Sequence, residues 1–161
     1  MPTPQRAKAL QLERSLLYHC AGIINRVGGS VHALCRERYG MSPAAWRVMA
    51  HVGELQPITA KEIGQRAAMD SVNLSRALGQ LDGLGFVQRH IDTADRRRII
   101  LQLSPAGQAV YDTVAPLTVK AEQTLLAELN AQERATLREL TRRVWERSRQ
   151  LFDGAESDTA Y

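Results

Sequence analysis

Three consecutive arginines, Arg96, Arg97 and Arg98, follow Asp95 in a polar stretch between two apolar runs. A guanidinium is a planar, permanently charged fork of donors, suited to phosphate oxygens and to narrow, electronegative grooves. Packed side by side on a turn, at least one of the three projects from its tip. Asp95 makes little sense as a phosphate contact; it suits a brace that fixes one guanidinium by a charge-assisted hydrogen bond. Earlier in the chain, Ser71, Val72, Asn73, Ser75, Arg76 and Gln80 share one side of a segment whose other side is Leu74, Leu78 and Leu81. Arginine forks onto guanine, asparagine pairs with adenine and valine touches a thymine methyl, so this set matches base edges in a major groove. The chemistry on offer is recognition, with no bond made or broken.

Catalysis finds little to work with. The four histidines, His19, His32, His51 and His90, are scattered, and there is no glycine-rich phosphate loop, H-E-x-x-H or G-x-S-x-G. His32 and Cys35 share a helical face, but two ligands are too few to hold a metal. The expectation is a protein that is not an enzyme and takes no cofactor or metal. Cys20 and Cys35 form neither a disulfide framework nor a C-x-x-C pair, which points to a reducing, cytoplasmic setting. Cys20 falls on the apolar stripe of the first helix and is expected to be a buried, inert thiol. A reactive Cys20 would instead make the chain a thiol-based redox sensor.

These side chains need elements to hold them. Between residues 10 and 40, Leu12, Leu16, Cys20, Ile23, Val27, Val31 and Leu34 recur at steps of three and four, the stripe of a long helix. Ser42-Pro43 is a cap followed by proline at the first helical position, and it opens a second helix through Trp46 and Met49. Thr59-Ala60-Lys61-Glu62 is a capping box for a short helix over 60–67, and Asp70 or Ser71 caps another over 71–84. Two short helices joined by so tight a turn form a helix-turn-helix. After Gly85 the period shortens to two, and residues 86–91 and 98–103 read as a hairpin, a wing with the arginines at its tip. Ser104-Pro105 opens a long helix that Pro116 is expected to kink or divide. Asn130-Ala131-Gln132-Glu133 opens the last, which carries Leu137, Leu140, Val144, Trp145, Leu151 and Phe152.

The fold class is therefore mainly α, in one subunit: a winged helix-turn-helix over 42–104 with a two-stranded β-wing, flanked by helices over 10–40 and 105–152, and a polar tail over 153–161. The flanking apolar stripes exceed what the small winged module covers. A second copy is expected to bury them in a two-fold homodimer, which makes them dimerisation helices.

Five runs together resemble the MarR (multiple antibiotic resistance regulator) family of winged-helix transcription factors. They are Ser42-Pro43-Ala44-Ala45-Trp46-Arg47-Val48, Thr59-Ala60-Lys61-Glu62-Ile63-Gly64, Leu81 through Gly85-Phe86-Val87-Gln88-Arg89, Asp92-Thr93-Ala94-Asp95-Arg96-Arg97, and Leu103-Ser104-Pro105-Ala106-Gly107, which stands where the family has L-T-x-x-G. The resemblance implies a homodimer on a pseudo-palindromic double-stranded operator, usually a repressor. Release would follow when a small aromatic carboxylate or phenol enters between the dimerisation helices and the winged module. By the same resemblance Asp95 and Arg97 match the wing's D-x-R motif, with Arg97 in the minor groove, and Ser71, Asn73, Ser75 and Arg76 meet bases or phosphates. Gly79 and Gly83 depart from the pattern, where the family more often has helix formers; each costs on the order of 1 kcal/mol of helix stability. For the effector, Tyr18, His19, Trp46, Met49, His51 and Tyr111 combine apolar bodies with, mostly, hydrogen-bonding tips, and Arg14, one turn before Tyr18, is placed to receive a carboxylate.

With 44% of its 161 residues hydrophobic, the chain has material for one domain core but no run long enough for a membrane helix. No cleavable secretory segment is expected at its start. The net charge of +4 is uneven: residues 1–40 carry six basic and two acidic groups, 41–104 eight and six, and 105–161 seven and nine. A basic excess in the first two-thirds permits a polyanionic partner, for which DNA is the expectation. The competing reading is a helical dimeric protein-interaction module, whose basic wing meets an acidic protein and which shows no sequence-selective DNA binding.

Overall fold

The computed structural model describes residues 11–152; the tail expected over 153–161 lies outside them. Helix α1 (Leu16–Tyr39) starts at Ser15, whose hydroxyl accepts from the Tyr18 amide, and stops at Gly40 in the left-handed conformation (φ 65°) that glycine adopts without penalty. The helix is shorter than its apolar pattern suggests. Leu12–Arg14 form a separate 3-10 turn, which takes Leu12 off the α1 stripe.

Helix α2 (Pro43–Leu55) opens with Ser42 capping the Ala45 amide at 3.1 Å. Ala45, Trp46, Val48, Met49 and Val52 are all buried, which makes α2 the centre of the molecule. Around it pack α1, α3 (Ala60–Ala67), α4 (Ser71–Gly83), α5 (Pro105–Leu125) and the sheet.

That sheet has one strand more than the sequence reveals. Strands β1 (Ile58–Thr59), β2 (Val87–Ile91) and β3 (Ile99–Leu103) lie antiparallel in the order β1-β3-β2. A two-residue strand is too short to leave a period-two pattern. It pairs Ile58 with Leu101 and Thr59 with Ile100, so the residue that caps α3 also ties that helix to the wing. Past the end of β1 the Gln56 side chain continues the ladder. Its Oε1 accepts from the Leu103 amide at 2.8 Å, while its Nε2 donates to Gln108 Oε1 at 3.3 Å.

The expected boundary at Pro116 does not form, since α5 runs through it as one helix. Pro116 and Asp112 are both exposed, so the Asp112 carbonyl that proline leaves without a donor has water in reach. Helix α6 (Ala131–Phe152) begins on a reciprocal cap: the Glu133 amide donates to Asn130 Oδ1 (3.0 Å) and the Asn130 amide to Glu133 Oε2 (2.8 Å). None of its described side chains is buried, and no other described element packs substantially against it. Leu137, Leu140, Val144, Trp145 and Leu151 stand 42% to 51% exposed along it. Leu16, Leu17, Ile23 and Ile24 are similarly uncovered on the first half of α1.

The tightest place is the corner between wing and α5. Ser104, the one buried polar residue among those described, donates from its hydroxyl to the Gly85 carbonyl at 2.6 Å and accepts from the Gly107 amide at 3.0 Å. Its own amide donates to the Phe86 carbonyl, also at 3.0 Å. A Cβ on Gly107 would lie 2.0 Å from that same carbonyl oxygen. The obstacle is backbone and cannot swing aside. Gly107→Ala should therefore lower the unfolding free energy by at least about 2 kcal/mol. At Gly79, where a Cβ would meet nothing within 4 Å, alanine should raise it by up to about 1 kcal/mol. Urea denaturation of both variants beside the parent measures the contrast.

Candidate nucleic-acid interface

Helices α3 and α4 are joined by Ala68, Met69 and Asp70. Thr59 and Glu62 hold the first with a complete capping box: the Thr59 amide and hydroxyl donate to Glu62 Oε2 at 2.8 and 2.7 Å, and the Glu62 amide donates back to the hydroxyl at 3.3 Å. Ala68 turns the chain in the left-handed region (φ 48°), donating to the Gly64 carbonyl. Asp70 caps α4, its Oδ1 accepting from the Asn73 amide at 2.8 Å and its Oδ2 from the Asn73 side-chain amide.

Leu74, Ala77, Leu78 and Leu81 bury the inner side of α4. Ser71, Val72, Asn73, Ser75 and Arg76 are exposed on the other. Among the described residues nothing engages the side chains of Ser71, Ser75 or Arg76. Asn73 is different, since its amide is drawn back onto Asp70.

Gln80 is a correction. Instead of facing outward as a base-contacting group, it turns toward the corner between α1 and α2. Its Oε1 accepts from the Ser42 hydroxyl at 2.7 Å and the Ser42 amide at 3.1 Å, and its Nε2 donates to the Gly40 carbonyl at 2.9 Å. The glutamine lies at the edge of the α4 apolar stripe and is long enough to reach around it.

In the wing, β2 and β3 pair from Val87–Leu103 out to Ile91–Ile99, and Asp92 and Arg98 close the stem through the Asp92 amide and the Arg98 carbonyl at 2.9 Å. The role of Asp95 is also corrected. Its carboxylate accepts from the Arg97 backbone amide at 3.0 Å, and its carbonyl from the Arg98 amide at 2.9 Å. It thus shapes the turn and leaves the guanidiniums alone. The braced guanidinium is that of Arg98, 3.6 Å from both Asp92 and Glu62, so this residue ties wing to α3. Arg96 and Arg97 are exposed at the tip, and nothing among the described residues engages their guanidiniums. Arg89 on β2 forms an ion pair with Asp82 near the end of α4, Nε lying 3.3 and 3.2 Å from the two carboxylate oxygens. The sequence reading missed this clamp between helix and wing, although two charges across one short turn were visible there.

The expected effector residues do not form one pocket. Trp46 and Met49 are core residues, 7% and 0% exposed. Arg14, Tyr18 and His19 are exposed around the start of α1, and His51 is half-buried with Nδ1 2.8 Å from the Arg47 carbonyl. Tyr111 lies against Trp46, ring centroids 6.3 Å apart. A different groove, of about 520 Å³, runs between α1 and α5, with Val27, Leu34 and Leu117 for walls and Arg26 and Lys120 for cations.

Cys20 is exposed, correcting the expected buried thiol, because no described residue covers it on the first half of α1. Cys35 is the buried cysteine, and burial pushes its thiol above the ordinary value. No group of His, Cys, Asp and Glu among the described residues has the arrangement to hold a metal ion.

Residues 39–98 match the family model described as MarR family. The HTH-type transcriptional regulator YwoH of Bacillus subtilis is 24% identical over 106 residues, 66% of this chain and 77% of that protein. The HTH-type transcriptional repressor NicR of Pseudomonas putida is 27% identical over 88 residues, 55% of this chain and 56% of that one. A solved MarR-family transcriptional regulator from Silicibacter pomeroyi superposes with a TM-score of 0.73 at 25% identity, over 87% of this chain and 94% of its own.

The caps of the helix-turn-helix carry a pH signature. Hydrogen bonds from the Thr59 hydroxyl and amide, with Arg98 nearby, hold Glu62 below the usual carboxylate range, and the Asn73 amides do the same for Asp70. Folded values below unfolded ones add stability that is complete above about pH 4.3, the ordinary glutamate value, and lost as pH falls through the lowered values. Thermal unfolding between about pH 5 and pH 3 should show a shallower acid loss for Glu62→Gln than for the parent.

Proposed function

We propose that the chain belongs to the MarR family through its winged module, and that it is a homodimeric, sequence-specific DNA-binding repressor. Helix α4 enters the major groove with Ser71, Ser75 and Arg76 toward bases and phosphates, and Asn73 joins them by leaving Asp70. The wing carries Arg97, with Arg96 beside it, into the neighbouring minor groove, while Arg98 positions the stem. The observation that carries this reading is the coincidence of two unengaged surfaces, the α4 face and the wing tip, on elements clamped together by Arg89 and Asp82.

The dimer rests on α6, an amphipathic helix with no substantial partner among the described elements of its chain. Such a stripe is stable when a two-fold copy covers it and the exposed start of α1. Repression is carried over from the likeness to the Pseudomonas putida repressor. For the effector we propose a small aromatic anion, since the α1–α5 groove offers apolar walls and two cations. Its binding would favour a dimer whose two recognition helices no longer match successive major grooves. No helix among the described residues is long and apolar enough to cross a membrane, and the proposed place of action is the cytoplasm.

Arg97→Ala should weaken binding to an operator duplex by about 1–3 kcal/mol while the protein still sediments as a dimer; unchanged affinity would contradict the wing assignment. The pair Leu140→Asp and Trp145→Asp should sediment as a monomer and lose most affinity. A persistent dimer would contradict the role given to α6.

A further inference from the structure

We propose that Gln80 is a positioning residue for DNA reading: it locks the recognition helix to the corner where α1 ends and α2 begins, and so sets the half-site spacing that the dimer accepts. The proposal rests on the reading of the chain as a dimeric operator binder. One carboxamide uses both its ends here, accepting twice from Ser42 and donating once to Gly40. Those partners are the stop of α1 and the cap of α2. Helix α1 leads from that corner to the uncovered apolar surface assigned to the dimer, so the corner is where the dimer arm meets the winged module.

The recognition helix needs such a lock. Gly79 and Gly83 flank Gln80 closely, and a Cβ on either would meet nothing within 4 Å, so packing does not require glycine at either place. The second half of α4 is therefore soft by composition. The leucines beneath it hold it by apolar contact, which is non-directional, whereas hydrogen bonds fix an orientation. On the other side Asp82 binds Arg89 of the wing. Without Gln80, α4 and the wing stay joined as a reading unit but lose their fixed pose against the dimer arm. Half-site sequence preference should survive, and spacing discrimination should not.

The test uses Gln80→Leu, which keeps volume and removes both polar ends, and Gln80→Glu, which keeps the acceptor for Ser42 and removes the donor to Gly40. Affinities of the purified full-chain dimers are measured on a selected operator and on versions with its centre lengthened or shortened by a base pair. The ratio between spacings should fall about three- to tenfold in the leucine variant and less in the glutamate variant, with half-site preference retained. A merely destabilised protein loses affinity equally on all duplexes and leaves the ratio unchanged. An unchanged ratio, or loss of half-site preference along with spacing, overturns the proposal. Hydrogen exchange without DNA separates its failure from that of the operator reading: α4 amides should exchange faster in Gln80→Leu relative to those of α2. Unchanged α4 protection contradicts the lock whatever the protein binds.

Discussion

Four helices and a sheet close on α2, and its burial decides which way every other element faces. Val48, Met49 and Val52 are fully enclosed, so each neighbour must offer α2 an apolar side and turn its polar side to solvent. Helix α4 gives Leu74, Ala77, Leu78 and Leu81 to the interior, which puts Ser71, Ser75 and Arg76 outside. The packing tolerates little change: a Cβ on Gly53 would come within 2.5 Å of the Tyr111 ring. The face proposed to read DNA is thus the complement of the core, its inner side seated on a close-packed interior.

What the core does not cover is as informative. Helix α6 and the first half of α1 display apolar side chains that no described element of the chain buries. A polar outer face with Arg142 bonded to both Glu139 and Glu146 keeps α6 helical and soluble while its stripe waits for cover. In the proposed dimer a symmetric partner answers that need and places two winged modules at a fixed separation. On that proposal function follows from geometry: one module would read a few base pairs, and two at the right distance an operator.

Much of this was legible because it is local. Ser42, Thr59 with Glu62, Asp70, Ser104 and Asn130 are caps whose partners lie within three residues, and all five form. The recognition helix and the wing were placed by changes in apolar period. Illegible were contacts between residues far apart in sequence. Gln80 reaches a residue 38 positions away, which no helical pattern encodes. Gln56 extends the sheet from outside any strand, and β1 is too short to show a period. Trp46 and Met49 resembled pocket walls because periodicity shows that a residue points inward without showing how deep it lies. Cys20 resembled a core residue for the related reason that its stripe is apolar, although no described residue of the chain covers it.

The central claim is that paired recognition helices read DNA with two-fold symmetry. Selection of bound duplexes from a random library by the purified protein tests it most directly. An inverted repeat with half-site centres about one helical turn apart should be enriched. A folded, dimeric protein that enriches no sequence at moderate salt would contradict it, and would turn the α4 face and the wing toward an acidic protein partner instead.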